Sequence, residues 1–156
     1  MNSLAVTTAP RPENWSALME EYLDILVRQV MTSIETDVEI VGSGWDPRAQ
    51  VAAWLELKGT PERRLYVAMP YASGVHLSAL VTGLTAEHIQ SDPSLVQDLV
   101  GEITNIMAGH LWPALEGATG IGLPKEGLPP GAGGVVRRYL IAGDSLLLAG
   151  LDTAGA

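Results

Sequence analysis

Apolar and polar positions recur along the chain with two periods, and the switches between them divide it into helices and strands. Trp15, Leu18, Met19, Tyr22, Leu23, Leu26, Val27, Val30, Met31 and Ile34 return at spacings of three and four. That spacing predicts a long helix over 14–35 with one wide apolar stripe. Glu20, Glu21, Asp24, Arg28 and Gln29 are expected to face water, and Asn14 to cap the helix. Val38 to Val41 reads as a strand ending in Gly42-Ser43-Gly44, and Asp46-Pro47 as a turn. Gln50 to Lys58 alternates, with Val51, Ala53, Leu55 and Leu57 on one side and Ala52, Trp54 and Glu56 on the other. Gly59-Thr60-Pro61-Glu62 turns the chain into a third strand, Arg64 to Met69. Three successive strands with short links predict an antiparallel meander.

Ala72 to Leu84 is a second helix, weakened by Gly74 and Gly83, and Thr85 to Gln90 a short connector. Ser91 to Leu111 is the best-marked helix. Asp92 can cap it, Pro93 suits its first position, and it ends near Trp112-Pro113. Leu95, Leu99, Val100, Ile103, Ile106, Met107 and Leu111 give it one apolar face. Asp98, Glu102, Asn105 and Gly109 fall in a line on the opposite face, flanked by Gly101 and Ala108. Each of its two glycines costs about 1 kcal/mol relative to Ala, so a surface kept bare for another molecule is one candidate compensation. Ala114 to Gly134 is rich in Gly and Pro and reads as a loop with a short strand at Gly120 to Leu123. Val135 to Ala142 and Ser145 to Leu151 are strands joined by a two-residue turn, Gly143-Asp144. The fold class is α+β, a mostly antiparallel sheet packed with a long N-terminal helix and two central helices. Residues 1–12 read as a flexible lead, 13–152 as a single domain and 153–156 as a frayed end.

Composition narrows the function. With 156 residues, 47% hydrophobic and 17% charged, the chain can bury a real core. Phe is absent, so Leu, Val, Ile, Met and four Trp are expected to fill it. A net charge of −9 with nine scattered Lys and Arg argues against nucleic acid and against an anionic membrane surface. Lack of cysteine removes disulfides and thiolate metal sites and is compatible with a cytoplasmic location. No apolar run reaches the ~18 residues of a membrane span, and no signal peptide is visible. His76, His88 and His110 lack metal-ligand spacing, so no metal site is expected. Arg63-Arg64 and Arg137-Arg138 read as charges on strand edges, and the glycine clusters near 120 and 131–134 as turns.

Glu102 and Asn105 carry the sharpest chemistry. A carboxamide is no base, but it can accept a hydrogen bond from water and so fix a direction of attack. A carboxylate three residues away can anchor a lysine or a metal-bound water on a partner. The pattern D-x-x-x-E-x-x-N-x-x-x-G, carried by Asp98, Glu102, Asn105 and Gly109, resembles the signature helix of the CheC/CheX/FliY family of chemotaxis phosphatases. It is most similar to the CheX branch, which has one such helix where CheC usually has two. The long first helix, the strands, Gly83-Leu84, Gly122-Leu123-Pro124 and the final hairpin follow in CheX-like order. This resemblance implies that Asn105 positions water against the aspartyl phosphate of a CheY-like response regulator, and that Glu102 contacts the regulator's lysine. Asp98, Gly101 and Gly109 would bind the partner. It also implies Mg²⁺ on the regulator, no cofactor on this chain, and a homodimer. A docking module that binds a receiver domain without catalysis is the alternative. Gly109-His110 departs from the family's frequent Gly-Asn, and 117–134 is poorly matched.

Overall fold

Among the described residues seven strands pair into one antiparallel sheet, and three helices pack their apolar sides onto one of its faces. The computed structural model describes the backbone of residues 12–153 and the side chains of 16–153. The readings made for residues 1–11, for 154–156 and for the Trp15 side chain lie outside the described residues. The elements are α1 (Pro12–Thr32), β1 (Val38–Ser43), β2 (Val51–Gly59), β3 (Arg63–Met69), α2 (Tyr71–Thr82), α3 (Ala86–Ser91), α4 (Ser94–Leu111), a 3-10 turn (Trp112–Ala114), β4 (Ala118–Ile121), β5 (Lys125–Glu126), β6 (Val135–Ile141) and β7 (Ser145–Thr153). The sheet order is β1-β6-β7-β3-β2-β4, and β5 also pairs with β2.

This order corrects the meander. β2 and β3 do form a hairpin, with Leu55 opposite Leu65, but β1 pairs with β6 at the far edge of the sheet. The link 44–50 has to cross the sheet between them. It does so on the face opposite the helices, where Trp45 and Ala49 line a hollow together with Ala52 and Ala68. Local turn signals report where the chain reverses, not which strand it meets next.

The predicted alternation of β2 places Ala53, Leu55 and Leu57 in the core, with Leu65, Val67, Met69, Leu147, Ala149 and Leu151 from β3 and β7. Met19, Leu23, Leu26, Val27, Val30 and Met31 of α1 close one part of it, and Val100, Ile103, Met107 and Leu111 of α4 another. The three described tryptophans do not fill the core as expected. Trp45 is exposed, Trp54 and Trp112 are half-buried, and the buried aromatic rings are Tyr66 and Tyr139.

Other boundaries shift for local reasons. α1 begins at Pro12, so Asn14 lies within the helix instead of capping it. Asp24 does not face water: its carboxylate accepts from Arg137 (2.8 and 3.1 Å) and from the Tyr139 hydroxyl (2.7 Å), tying α1 to the sheet. Arg64 and Arg137 lie on interior strands, paired with Asp152 and Asp24, and are not edge charges. β6 and β7 join through three residues, Ala142 to Asp144, with positive φ at Ala142 (53°) and Gly143 (95°). β7 runs on to Thr153, so the first residue of the segment read as a frayed end is paired in the sheet. Gly74 is present in α2 because a Cβ there would stand 2.4 Å from Val96 Cγ1 of α4.

Tyr66 faces away from the helices, and its ring covers Gly150, where a Cβ would collide with it. Its hydroxyl donates to the Gly133 carbonyl, holding the 127–134 loop down. Burial, followed by the nearby Asp152 carboxylate, pushes the phenol up to about 12. The unfolded chain ionises this group near pH 10, so the folded state loses stability as pH rises from about 10 towards 12. Tyr66→Phe should flatten that part of the pH–stability curve and cost about 1 kcal/mol at neutral pH. Urea titrations at neutral and alkaline pH check both.

Candidate functional site

α4 starts where its sequence signals place it. The Asp92 carboxylate accepts from the Ser94 N–H (3.3 Å) and the Ser94 hydroxyl (2.6 Å), and Pro93 already has helical angles. Val96, Val100, Ile103, Met107, Ala108 and Leu111 are buried, and the buried Thr104 donates its hydroxyl to the Val100 carbonyl (2.7 Å). The packed face is therefore rotated from the predicted one. Ile106 is 39% exposed, whereas Val96, Thr104 and Ala108 are inside. Ala108 stands next to the polar row on the helix but is buried.

The polar row is placed as the spacing predicted. Asp98, Glu102, Asn105 and Gly109 are all exposed along one line of α4. The side chains of Asp98, Glu102 and Asn105 make no hydrogen bond or ion pair with another described residue. His110 is exposed, about 100° round the helix from Gly109. An added Cβ on Gly109 would meet open space, and one on Gly101 would meet only Pro124 Cβ at 4.0 Å. Neither glycine is required by packing.

The row is one side of a groove of about 490 Å³. Gln97, Asp98, Gly101, Glu102 and Asn105 line it from α4, and Leu123 to Glu126 line it from the other side, with Ala53 of β2 between. The second wall is braced from below. β5 pairs with β2, and the Lys125 ammonium bonds the Glu56 carboxylate (2.9 Å) while lying 4.5 Å from the centre of the Trp54 ring. Lys125 holds the Glu56 carboxyl below its usual range. The Ala52 carbonyl accepts from Gln97 Nε2 and from the Gly127 N–H, both at 2.9 Å, which joins helix, strand and loop. With Lys125 engaged by Glu56, the groove presents the carboxylates of Asp98, Glu102 and Glu126. That electrostatic character suits a cationic group on an approaching molecule. Among the described residues no three His, Asp or Glu side chains converge to hold a metal ion.

Sequence reasoning missed the second wall. Gly122-Leu123-Pro124 was legible as a segment, but nothing local shows that pairing of β5 with β2 brings it opposite α4. Leu123, 83% exposed, stands at this rim.

An antiparallel sheet carrying a long N-terminal helix and a central helix with an exposed E-x-x-N row has the α+β fold of CheX and CheC-like chemotaxis proteins. A chain of the CheX–CheY–BeF3–Mg²⁺ complex from Borrelia burgdorferi superposes with a TM-score of 0.71 at 14% identity, covering 86% of this chain and 96% of that one. The chemotaxis protein CheX from Desulfovibrio desulfuricans gives 0.61 at 13% identity, covering 86% and 97%. A CheC-like chemotactic protein from Shewanella oneidensis gives 0.53 at 16% identity, covering 84% and 95%. No protein-family model and no curated protein sequence matches the chain.

Gly109→Ala should leave the fold intact and raise stability by up to about 1 kcal/mol, the helix-propensity difference. Denaturant titration checks it. A loss of stability would mean that the bare position serves packing.

Proposed function

We propose that this chain is a CheX-like member of the CheC/CheX/FliY family, a phosphatase that accelerates hydrolysis of the aspartyl phosphate on a CheY-like response regulator. The observation that carries this reading is the pair Glu102 and Asn105, exposed, unpartnered and one turn apart on a braced helix beside an acidic groove. A similar fold has been solved in complex with CheY, which supports a CheY-like partner.

In this reading α4 enters the regulator's phosphorylation site. The Asn105 carboxamide accepts a hydrogen bond from a water and aims its oxygen at phosphorus. The P–O bond to the aspartyl carboxylate breaks as the water oxygen bonds to phosphorus, leaving inorganic phosphate and the free carboxylate. The carboxamide takes no proton, so its contribution is position. Glu102 pairs with the regulator's lysine and fixes the approach of the two proteins. The Mg²⁺ that neutralises phosphoryl charge is expected on the regulator. Gly101 and Gly109 let the partner's backbone close on the helix, and Asp98 extends the acidic contact.

Decay of a phosphorylated CheY-like receiver, with and without this protein, tests the proposal. Asn105→Ala should cut the acceleration by about 10²-fold while binding persists. Glu102→Ala should weaken binding by about 30-fold or more, as truncation of a buried charge pair does. Binding of the phosphorylated receiver without faster decay would favour the docking-module reading, and neither effect across the organism's receivers would overturn both.

The same reading includes a homodimer. Leu18 and Ile25, two turns apart on α1, are 43% and 47% exposed and offer apolar surface for a second copy. Sedimentation equilibrium should give twice the chain's mass, and a single-chain mass at micromolar concentration would remove the dimer from the proposal.

A further inference from the structure

A second polar cavity lies at the start of α2, away from the residues that line the α4 groove. Two adjoining hollows, of about 460 and 320 Å³, share Ala72, Ser73 and Asp144. Arg48 borders the first, and His76 and Ser145 border the second.

The donors here are unusually free. α2 is preceded by Pro70, which provides no side-chain cap. The Tyr71 N–H is satisfied by Gln50 Oε1 (2.9 Å) and the Gly74 N–H by the Pro70 carbonyl (3.1 Å). The N–H groups of Ala72 and Ser73, between them, have no partner among the described residues. These two are the groups that a Ser, Thr or Asp cap ordinarily serves. Ser73 itself is 6% exposed, lines both hollows, and its hydroxyl makes no hydrogen bond to a described residue. The side chain is nine-tenths buried, and its hydroxyl has no protein partner, so it is left to bond with water or a ligand in the hollow.

Two further groups complete the set. His76 Nδ1 lies 2.6 Å from Ser145 Oγ, and Ser145 is itself 4% exposed. With Ser145 donating to Nδ1, the neutral ring carries its proton on Nε2 as another donor. Arg48 is oriented by Asp46 through bonds of 2.7 and 3.0 Å and remains largely exposed. Asp144 is the one opposing charge among the lining residues.

We infer that the start of α2 is a binding site for a small phosphate-class oxyanion, held by the Ala72 and Ser73 N–H groups, the Ser73 hydroxyl and the His76–Ser145 pair. The chemistry matches what helix starts offer to anions, with a buried hydroxyl and an imidazole added. Asp144 opposes the anion and keeps its hold weak, which suits exchange rather than permanent occupancy. This site is independent of the phosphatase reading and stands or falls separately.

Amide NMR of the full chain, titrated with sodium phosphate at constant ionic strength, tests it. Saturable shifts centred on Ala72 and Ser73, with the His76 ring responding, are the expected result. Ser73→Ala, a replacement that an α-helix accepts, should weaken binding about tenfold or more, since it removes a hydrogen bond to a charged acceptor. Asp144→Asn should tighten it. Phosphoserine run beside inorganic phosphate separates the sources: equal affinity assigns the free ion, and a clear preference for phosphoserine assigns a phosphorylated side chain. Shifts that fail to saturate, that scatter over Lys and Arg, or that are unchanged in Ser73→Ala would overturn the inference.

Discussion

Burial of one side of α4 against the sheet sets everything that its other side can do. Val100, Ile103, Met107 and Leu111 are locked into the core that α4 shares with β2 and β3. Each residue along a helix turns it by about 100°, so a slip of one position would bring the buried Ile103 outward in place of Glu102. The cost would be several buried aliphatic side chains, each worth roughly 1.5–3 kcal/mol. The hydrophobic seam thus works as the aiming device of the polar row. Gly74 extends the same logic to α2, since Val96 occupies the space its side chain would need.

Charge is divided between two uses. Asp24 and Asp152 are turned inward to arginines on interior strands, one binding α1 to the sheet and the other holding the Arg64 guanidinium and the Gly133 N–H on the opposite face. Glu56 is used to fix Lys125 over Trp54. The two Asp–Arg pairs are partly desolvated and multiply hydrogen-bonded, the geometry in which removing one partner is costly. Asp98 and Glu102, by contrast, have no partner among the described residues, in a chain of net charge −9. In the α4 groove the acidic excess is presented outward instead of being absorbed by the fold.

What could be read from sequence was what local periodicity encodes. The α4 start, its exposed row and the inward alternation of β2 follow from spacings of three to four and of two, and the structure reproduces them. The α+β class followed from element order. Long-range pairing was not legible: β1 joins β6, and Arg64 and Arg137 sit inside the sheet because of strands distant in sequence. The second wall of the groove failed for the same reason, since Leu123 and Pro124 reach α4 only through the two-residue pairing of β5 with β2. The packed side of α4 was misjudged by a fraction of a turn. Thr104 counts as polar in a pattern, yet its hydroxyl is satisfied within the helix by Val100, which lets it be buried.

Gly101, Asn105 and Gly109 recur every four residues on the outward side of α4. All three are poor helix formers, and together they cost about 2–3 kcal/mol relative to alanine. Packing does not ask for them: Gly109 looks onto open space, Gly101 would meet Pro124 only at ordinary contact distance, and the Asn105 side chain bonds to no described residue. The buried side of the same helix, dense in aliphatic residues, supplies the stability that tolerates them. A row that weakens its own helix and contributes nothing to the fold is best explained by what it presents: two bare stretches of backbone flanking one carboxamide, with a carboxylate a turn before it. Such a surface admits a close-fitting partner and leaves the carboxamide standing clear at its centre. Those are the requirements of a group that acts by position rather than by acidity.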